Sequence, residues 1–160
     1  MILIRKLRTF ASLSRDERFL ALEALVLPLA LQVGFRAVGV AGTQNWLRKW
    51  ACGKPVPVSE LRPEAIIHMA RRAQGITRRL VGSSGTCLQR SMTLWAVLAR
   101  RGIESELRVG FRRQEGHIEG HAWVEYRGEP VNEAASVVNT YTVTPGQAAF
   151  DLWTKGVRPV

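Results

Sequence analysis

One change of hydrophobic period, just after Gly102, constrains this chain more than any other feature. Before it, apolar residues recur at helical spacing; after it, "IESELRVGFRR" and "HIEGHAWVEYRGEPVNEA" alternate as strands do. Arg127-Gly128-Glu129 reads as a compact turn between two strands. Helices first and an antiparallel meander second predict an α+β fold, with N-terminal helices and a central helix packed on a small antiparallel sheet. At 160 residues and 46% hydrophobic content the chain can bury a real core. An N-terminal helical region over 1–57 and a core over 58–160 are expected to form one continuous domain.

The helical part carries its own punctuation. Ser14-Arg15-Asp16-Glu17 is a capping box. It opens "FLALEALVLPLALQVGFRAVGVAG", which follows a basic start from Met1 to Arg8 and so raises the question of a signal anchor. Glu23, Pro28, Gln32 and Arg36 interrupt the run, so a buried helix is favoured over membrane contact, bent or broken near Pro28. A second short helix lies in "NWLRKWACGKPVPVSE", ended by Lys54-Pro55-Val56-Pro57. Ser59 can cap a third helix with Pro63 and Glu64 in its first turn and Ile66, Ile67, Ala70, Ala73 and Ile76 on one side. His68, alone in that helix, reads as structural or surface. Gly82 to Gly85 breaks the pattern, and a heavily covered central helix starts at Thr86 or Cys87. Its apolar faces come from Leu88, Met92, Trp95, Val97 and Leu98; Arg100-Arg101 sit at its negative end, and Gly102 can take a left-handed stop.

Two cysteines, Cys52 and Cys87, fall in no metal-type spacing, which excludes a zinc or iron-sulfur framework and favours a reduced, cytoplasmic setting. Cys52 reads as structural or incidental. Cys87 is different, because a thiol in a helix's first turn feels the positive end of the macrodipole, which favours thiolate. Those unpaired amides can also receive an oxyanion. The downstream histidines are His117 and His121, and His121 projects from a fixed face of an alternating strand. Glu133, twelve residues on, is expected on the adjoining strand, where it could orient the imidazole. Cysteine on a helix start, histidine on a strand and carboxylate on the next form the geometry of a papain-like triad. The competing reading of Cys87 is a small buried hydrophobe without chemistry.

The segments "TCLQRSMTLWAVLARRGIESELRVGF" and "GHAWVEYRGEPVNE" closely resemble the transglutaminase-like leader peptidases of lasso peptide biosynthesis. The likeness is specific over 86–133, looser upstream and weak after Ala134. It implies a transglutaminase-like, papain-like fold and a cysteine peptidase that removes the leader of a ribosomally made precursor, freeing the amine that a separate lasso cyclase joins to a core carboxylate. Leader recognition in such systems is delegated to a small winged-helix protein; the first 85 residues here read as helices, so that protein is expected to be a separate chain. Carried over, Cys87 attacks the junction carbonyl, His121 holds the thiolate and protonates the leaving amine, and Glu133 fixes the histidine. The family's third member is commonly aspartate, so Asn132 stands as the alternative, strand alternation allowing only one of the two. The Cys87 amide is the expected oxyanion donor, with Gln89 and Ser84 merely adjacent; Thr86 and Trp123 are candidate substrate contacts, Trp123 either shielding His121, flooring the groove or packing as plain core. No cofactor or metal is implied. The same fold could also serve as an inactive scaffold, or pass its thioester to an amine.

The net charge of +10, from 23 Lys+Arg against 13 Asp+Glu, suits an acidic leader or an acidic partner face, or reflects an arginine-rich proteome. The basic pairs at 71–72, 78–79, 100–101 and 112–113 lack interleaved aromatics or a reading helix, which argues against nucleic acid.

Overall fold

The computed structural model describes residues 13–53, 62–81, 86–144 and 158–159, with side chains throughout except at 73–74, 76–81 and 158–159. The basic start, the link at 54–57, the Ser59 cap and the Gly82 to Gly85 break lie outside these residues, as do the side chains of Ala73 and Ile76.

Four helices come first: α1 Arg15–Ala37, α2 Gly39–Gly53, α3 Pro63–Val81 and α4 Cys87–Ala99. The capping box forms, with the Glu17 amide donating to Ser14 Oγ at 3.2 Å and the Ser14 amide donating to Glu17 Oε2 at 2.7 Å. The break expected near Pro28 is absent, and α1 runs unbroken through it. Pro28 is buried, and its carbonyl accepts from the Gln89 side chain of α4, which ties α1 to α4 at a residue that local propensity would make a helix end. The second helix is also longer than the "NWLRKWACG" pattern suggested, starting six residues earlier at Gly39.

Three faces of this layer meet one core. Leu20, Ala24, Leu27 and Leu31 of α1, Leu47 and Ala51 of α2, and Ile66, Ile67 and Ala70 of α3 close on Leu88, Met92, Leu94, Val97 and Leu98 of α4. Val109, Ala122 and Val124 of the sheet complete the cluster. On its opposite side α1 exposes Phe19, Leu22, Val26, Leu29 and Val33. By length and composition α1 could cross a membrane, yet it also carries Glu23, buried and ion-paired to Arg101 at 2.8 Å and Arg100 at 3.2 Å.

Helix α4 ends as its sequence dictates. Gly102 has φ +68°, its amide bonds to Ala99 O, and the Ile103 amide reaches Leu98 O at 3.1 Å, which is a Schellman stop. The chain then enters β1 Glu106–Gln114 and returns as β2 His117–Tyr126, paired over nine positions with Gly110 opposite His121. Glu115 and Gly116, then Arg127 and Gly128, all have positive φ, as two-residue hairpin turns require. β3 Glu129–Pro130 follows, then α5 Val137–Thr140 and β4 Thr142–Val143, giving the antiparallel order β3-β2-β1-β4. β5 Arg158–Pro159 adds parallel to the start of β2. The expected α+β arrangement is therefore present, with α4 packed against β2 as its central helix.

Candidate active site

Thr86 caps α4, its hydroxyl accepting from the Gln89 amide at 3.3 Å, so Cys87 occupies the first helical position. The cap commits the Thr86 side chain to the helix rather than to a substrate. Cys87 is fully buried, and its thiol donates weakly to the Gly120 carbonyl at 3.9 Å. Gly120 immediately precedes His121, so that contact fastens the helix start to the histidine strand. Residues 120–124 of β2 are all buried, which means both faces of the strand are covered at this level.

His121 is the hub. Its Nε2 lies 3.4 Å from Glu133 Oε1, and its side chain also interacts with the Cys87 thiol. The buried Nδ1 makes no hydrogen bond of ordinary geometry among the described residues, which leaves that nitrogen for the sulfur. Burial works against an imidazolium here. The hydrogen bonds to Cys87 and Glu133 and their negative charges outweigh it, and the His121 pKa is pushed up to about 9. Glu133 responds in the opposite direction: burial would raise its pKa, but His121, Arg90 and Arg71 hold the carboxyl below its ordinary value. Arg90, one turn into α4, contacts Glu133 Oε1 at 3.7 Å. Cysteine, histidine and carboxylate thus stand in one line, flanked by a cation.

The route to this line differs from the sequence reading. β3 ends at Pro130, so Glu133 lies in the irregular segment beyond it, not on the adjoining strand. Glu133 and Asn132 still diverge, because Asn132 is used elsewhere. Its Oδ1 accepts from the Val124 amide at 2.8 Å, its Nδ2 donates to Ser91 Oγ at 2.9 Å, and Ser91 donates to the Ala122 carbonyl at 2.8 Å. This bridge ties α4, β2 and the Glu133 segment together. Both the oxygen and the nitrogen of the Asn132 amide are thus engaged away from His121.

Trp123 shares the His121 face, with ring centroids 6.4 Å apart. It is fully buried and its indole N–H donates to Glu125 Oε1 at 2.8 Å, so it walls the histidine instead of flooring an open groove. The Gln89 side chain donates to Pro28, and Ser84 lies outside the described residues. His117 stands at the far end of β2 beside Glu119 at 3.7 Å, and His68 and Cys52 are exposed on helices. Several arginines read as available for a partner are committed within the fold: Arg100 and Arg101 to Glu23, and Arg112 to Glu119 at 2.7 Å. Sequence spacing missed Tyr141, whose ring stacks on His121 at 5.2 Å. No motif signalled it, since it arrives through the short α5 turn.

The family model described as "Transglutaminase-like superfamily" matches residues 29–145. The chain belongs to the transglutaminase-like superfamily. The match contains α4, the whole hairpin and every residue of the Cys87, His121 and Glu133 line, and it starts inside α1. No curated protein and no solved structure matches the chain. The transglutaminase-like superfamily includes cysteine peptidases and acyltransferases.

In this transglutaminase-like domain the charge on Glu133 is expected to matter more than its shape. Glu133→Gln keeps the contact but removes the negative charge beside Nε2. Turnover is expected to fall about tenfold, because the imidazole is less firmly held in its ion pair. Steady-state kinetics on the variant check this, and an unchanged rate would remove Glu133 from the site.

Proposed function

We propose that this protein is a cysteine peptidase that cuts the leader from a ribosomally made peptide of the lasso type, releasing the core's α-amine for a separate cyclase. What supports the peptidase reading is the placement of His121 between the Cys87 thiol and Glu133 Oε1 at 3.4 Å, as an acid that protonates an amine leaving group must be placed. The lasso substrate rests on the resemblance of 86–133.

In this mechanism the Cys87 thiolate attacks the scissile carbonyl and the oxyanion forms against the first-turn amides of α4. His121 gives its proton to the departing core amine, and the leader stays on Cys87 as a thioester. Water then attacks the thioester as His121 takes a proton back, which frees the leader acid and restores the pair. Glu133 keeps the imidazole oriented through both halves, and Arg90 fixes Glu133. Because Cys87 is buried, substrate entry must uncover the sulfur first.

The protein is proposed to act in the cytoplasm with a separate winged-helix recognition protein that delivers the leader. The test is direct: combine the chain, a precursor peptide of this class and the recognition protein, and read peptide masses. A leader and a free-amine core appearing only with all three supports the reading. No cleavage in the full mixture, or transfer of the leader to an added amine in preference to water, overturns it.

A further inference from the structure

The aromatic ring laid on His121 belongs to a stack with its own anchorage. Tyr141 lies nearly parallel to the imidazole, 22° between planes at a 5.2 Å centroid separation. The Arg112 guanidinium sits 5.0 Å over the same Tyr141 ring and is itself pinned to Glu119 at 2.7 Å. Arg112 and Glu119 are cross-strand partners two residues from Gly110 and His121, which are also partners, so the hairpin register sets the geometry of the whole stack.

A second observation shows that backbone has been cleared for this ring. A Cβ on Gly110 would lie 2.8 Å from the Tyr141 Cβ and 3.0 to 3.1 Å from the Trp123 ring. Only glycine at the residue facing His121 lets Tyr141 and Trp123 close together there. The Tyr141 hydroxyl also has its pKa raised, by burial first and then by Glu119, Cys87 and Glu133 against the lowering effect of Arg112.

We propose that Tyr141 is a positioning residue: stacked on the imidazole and anchored by Arg112 and Glu119, it holds the His121 ring in the one plane from which it reaches Cys87 and Glu133 together. This rests on the Cys87 and His121 reading above. A ring free to rotate about χ2 would meet sulfur and carboxylate only part of the time, and the thiolate would lose its counter-charge. Tyr141 acts through its face, so the hydroxyl is dispensable. The charged groups bearing on the pair are Cys87 and Arg90 of α4, Glu133, Arg71 of α3 acting on Glu133, and Arg112 with Glu119 across the hairpin.

Iodoacetamide, in which the thiolate forms a C–S bond as iodide leaves, reads this without knowledge of the natural substrate. In a Cys52→Ser background, the rate of Cys87 alkylation is followed by intact mass at pH 6 and at pH 9.5. The ratio of the two rates cancels differences in access to the buried sulfur. An ordinary thiol is almost wholly protonated at pH 6, whereas a thiolate paired with imidazolium still reacts. The wild type is expected to keep a high ratio, Tyr141→Phe to match it, and Tyr141→Leu, which fills the space without stacking, to lower it about tenfold towards His121→Ala, corresponding to one pKa unit of lost pairing. Circular dichroism of each variant ensures that a low ratio comes from folded protein. A wild-type ratio as low as that of His121→Ala overturns the ion-pair reading and this proposal with it. A high wild-type ratio that persists in folded Tyr141→Leu, or that falls equally in Tyr141→Phe, overturns the positioning role alone.

Discussion

Cys87→Ala is expected to abolish peptide cleavage, by about a thousandfold or more, while leaving the fold intact. Removing the nucleophile of a covalent mechanism leaves only binding and oxyanion stabilisation, and the members of such a site fail together when one is lost. The structural cost is expected to be modest, because alanine retains the Cβ and gives up only a weak 3.9 Å bond to Gly120 and the interaction with His121. Substrate binding should therefore persist, and the variant should capture the precursor without cutting it. Masses of the precursor after incubation with the recognition protein check the first point, and thermal unfolding checks the second. Cleavage surviving in Cys87→Ala would return Cys87 to a small buried hydrophobe.

Glu23→Ala, which removes a buried carboxylate from two arginines, is expected to cost about 3–5 kcal/mol of stability. The Glu23 carboxylate is buried with both oxygens within 3.2 Å of the Arg100 and Arg101 guanidinium groups. Neither contact has hydrogen-bond alignment, so the attraction is mainly ionic. Deleting the carboxylate leaves the Arg101 side chain, only 3% exposed, with the Val97 carbonyl as its acceptor and no counter-charge from Glu23. Against a total stability of about 5–15 kcal/mol for a domain of this kind, that loss approaches unfolding. Urea denaturation of the variant measures it, and the pair Glu23→Ala with Arg101→Met should recover part of the loss, since both buried charges are then gone. A change under about 1 kcal/mol would contradict the buried-pair account. The same pair bears on α1 itself: drawing this apolar helix into a bilayer would strip Glu23 from both arginines.

The features legible in the sequence were those written in local chemistry. The Ser14 capping box, the Gly102 stop, the Arg127-Gly128 turn and the switch to period two each need only a few neighbouring residues, and each is present. Cys87 and His121 were legible for a related reason, because a helix start and a strand alternation fix where each side chain points. What depended on distant packing was not. Pro28 lies inside α1 with its carbonyl tied to Gln89, 61 residues away, a contact that no local pattern encodes. Glu133 reaches His121 from an irregular segment after a two-residue β3, where period-two reasoning has no strand to act on. Asn132 was separated from Glu133 by a bridge to Ser91 and Val124 that no spacing encodes. Tyr141 came from beyond the last readable strand and closes on the site only through the vacancy at Gly110.

The thiolate and imidazolium pair is the claim on which the rest stands, and titration of His121 tests it most directly. The chain has three histidines, so their imidazole proton signals can be assigned in an NMR spectrum by single replacement of His68, His117 and His121. A folded-state pKa above the ordinary 6.5 means that the pair adds stability below that pH and loses it as pH rises through the folded value. The expected midpoint for His121 is about 9 in the wild type, falling in both Cys87→Ala and Glu133→Gln as each negative partner is removed. A wild-type midpoint at or below 6.5, unmoved by either substitution, would contradict the account.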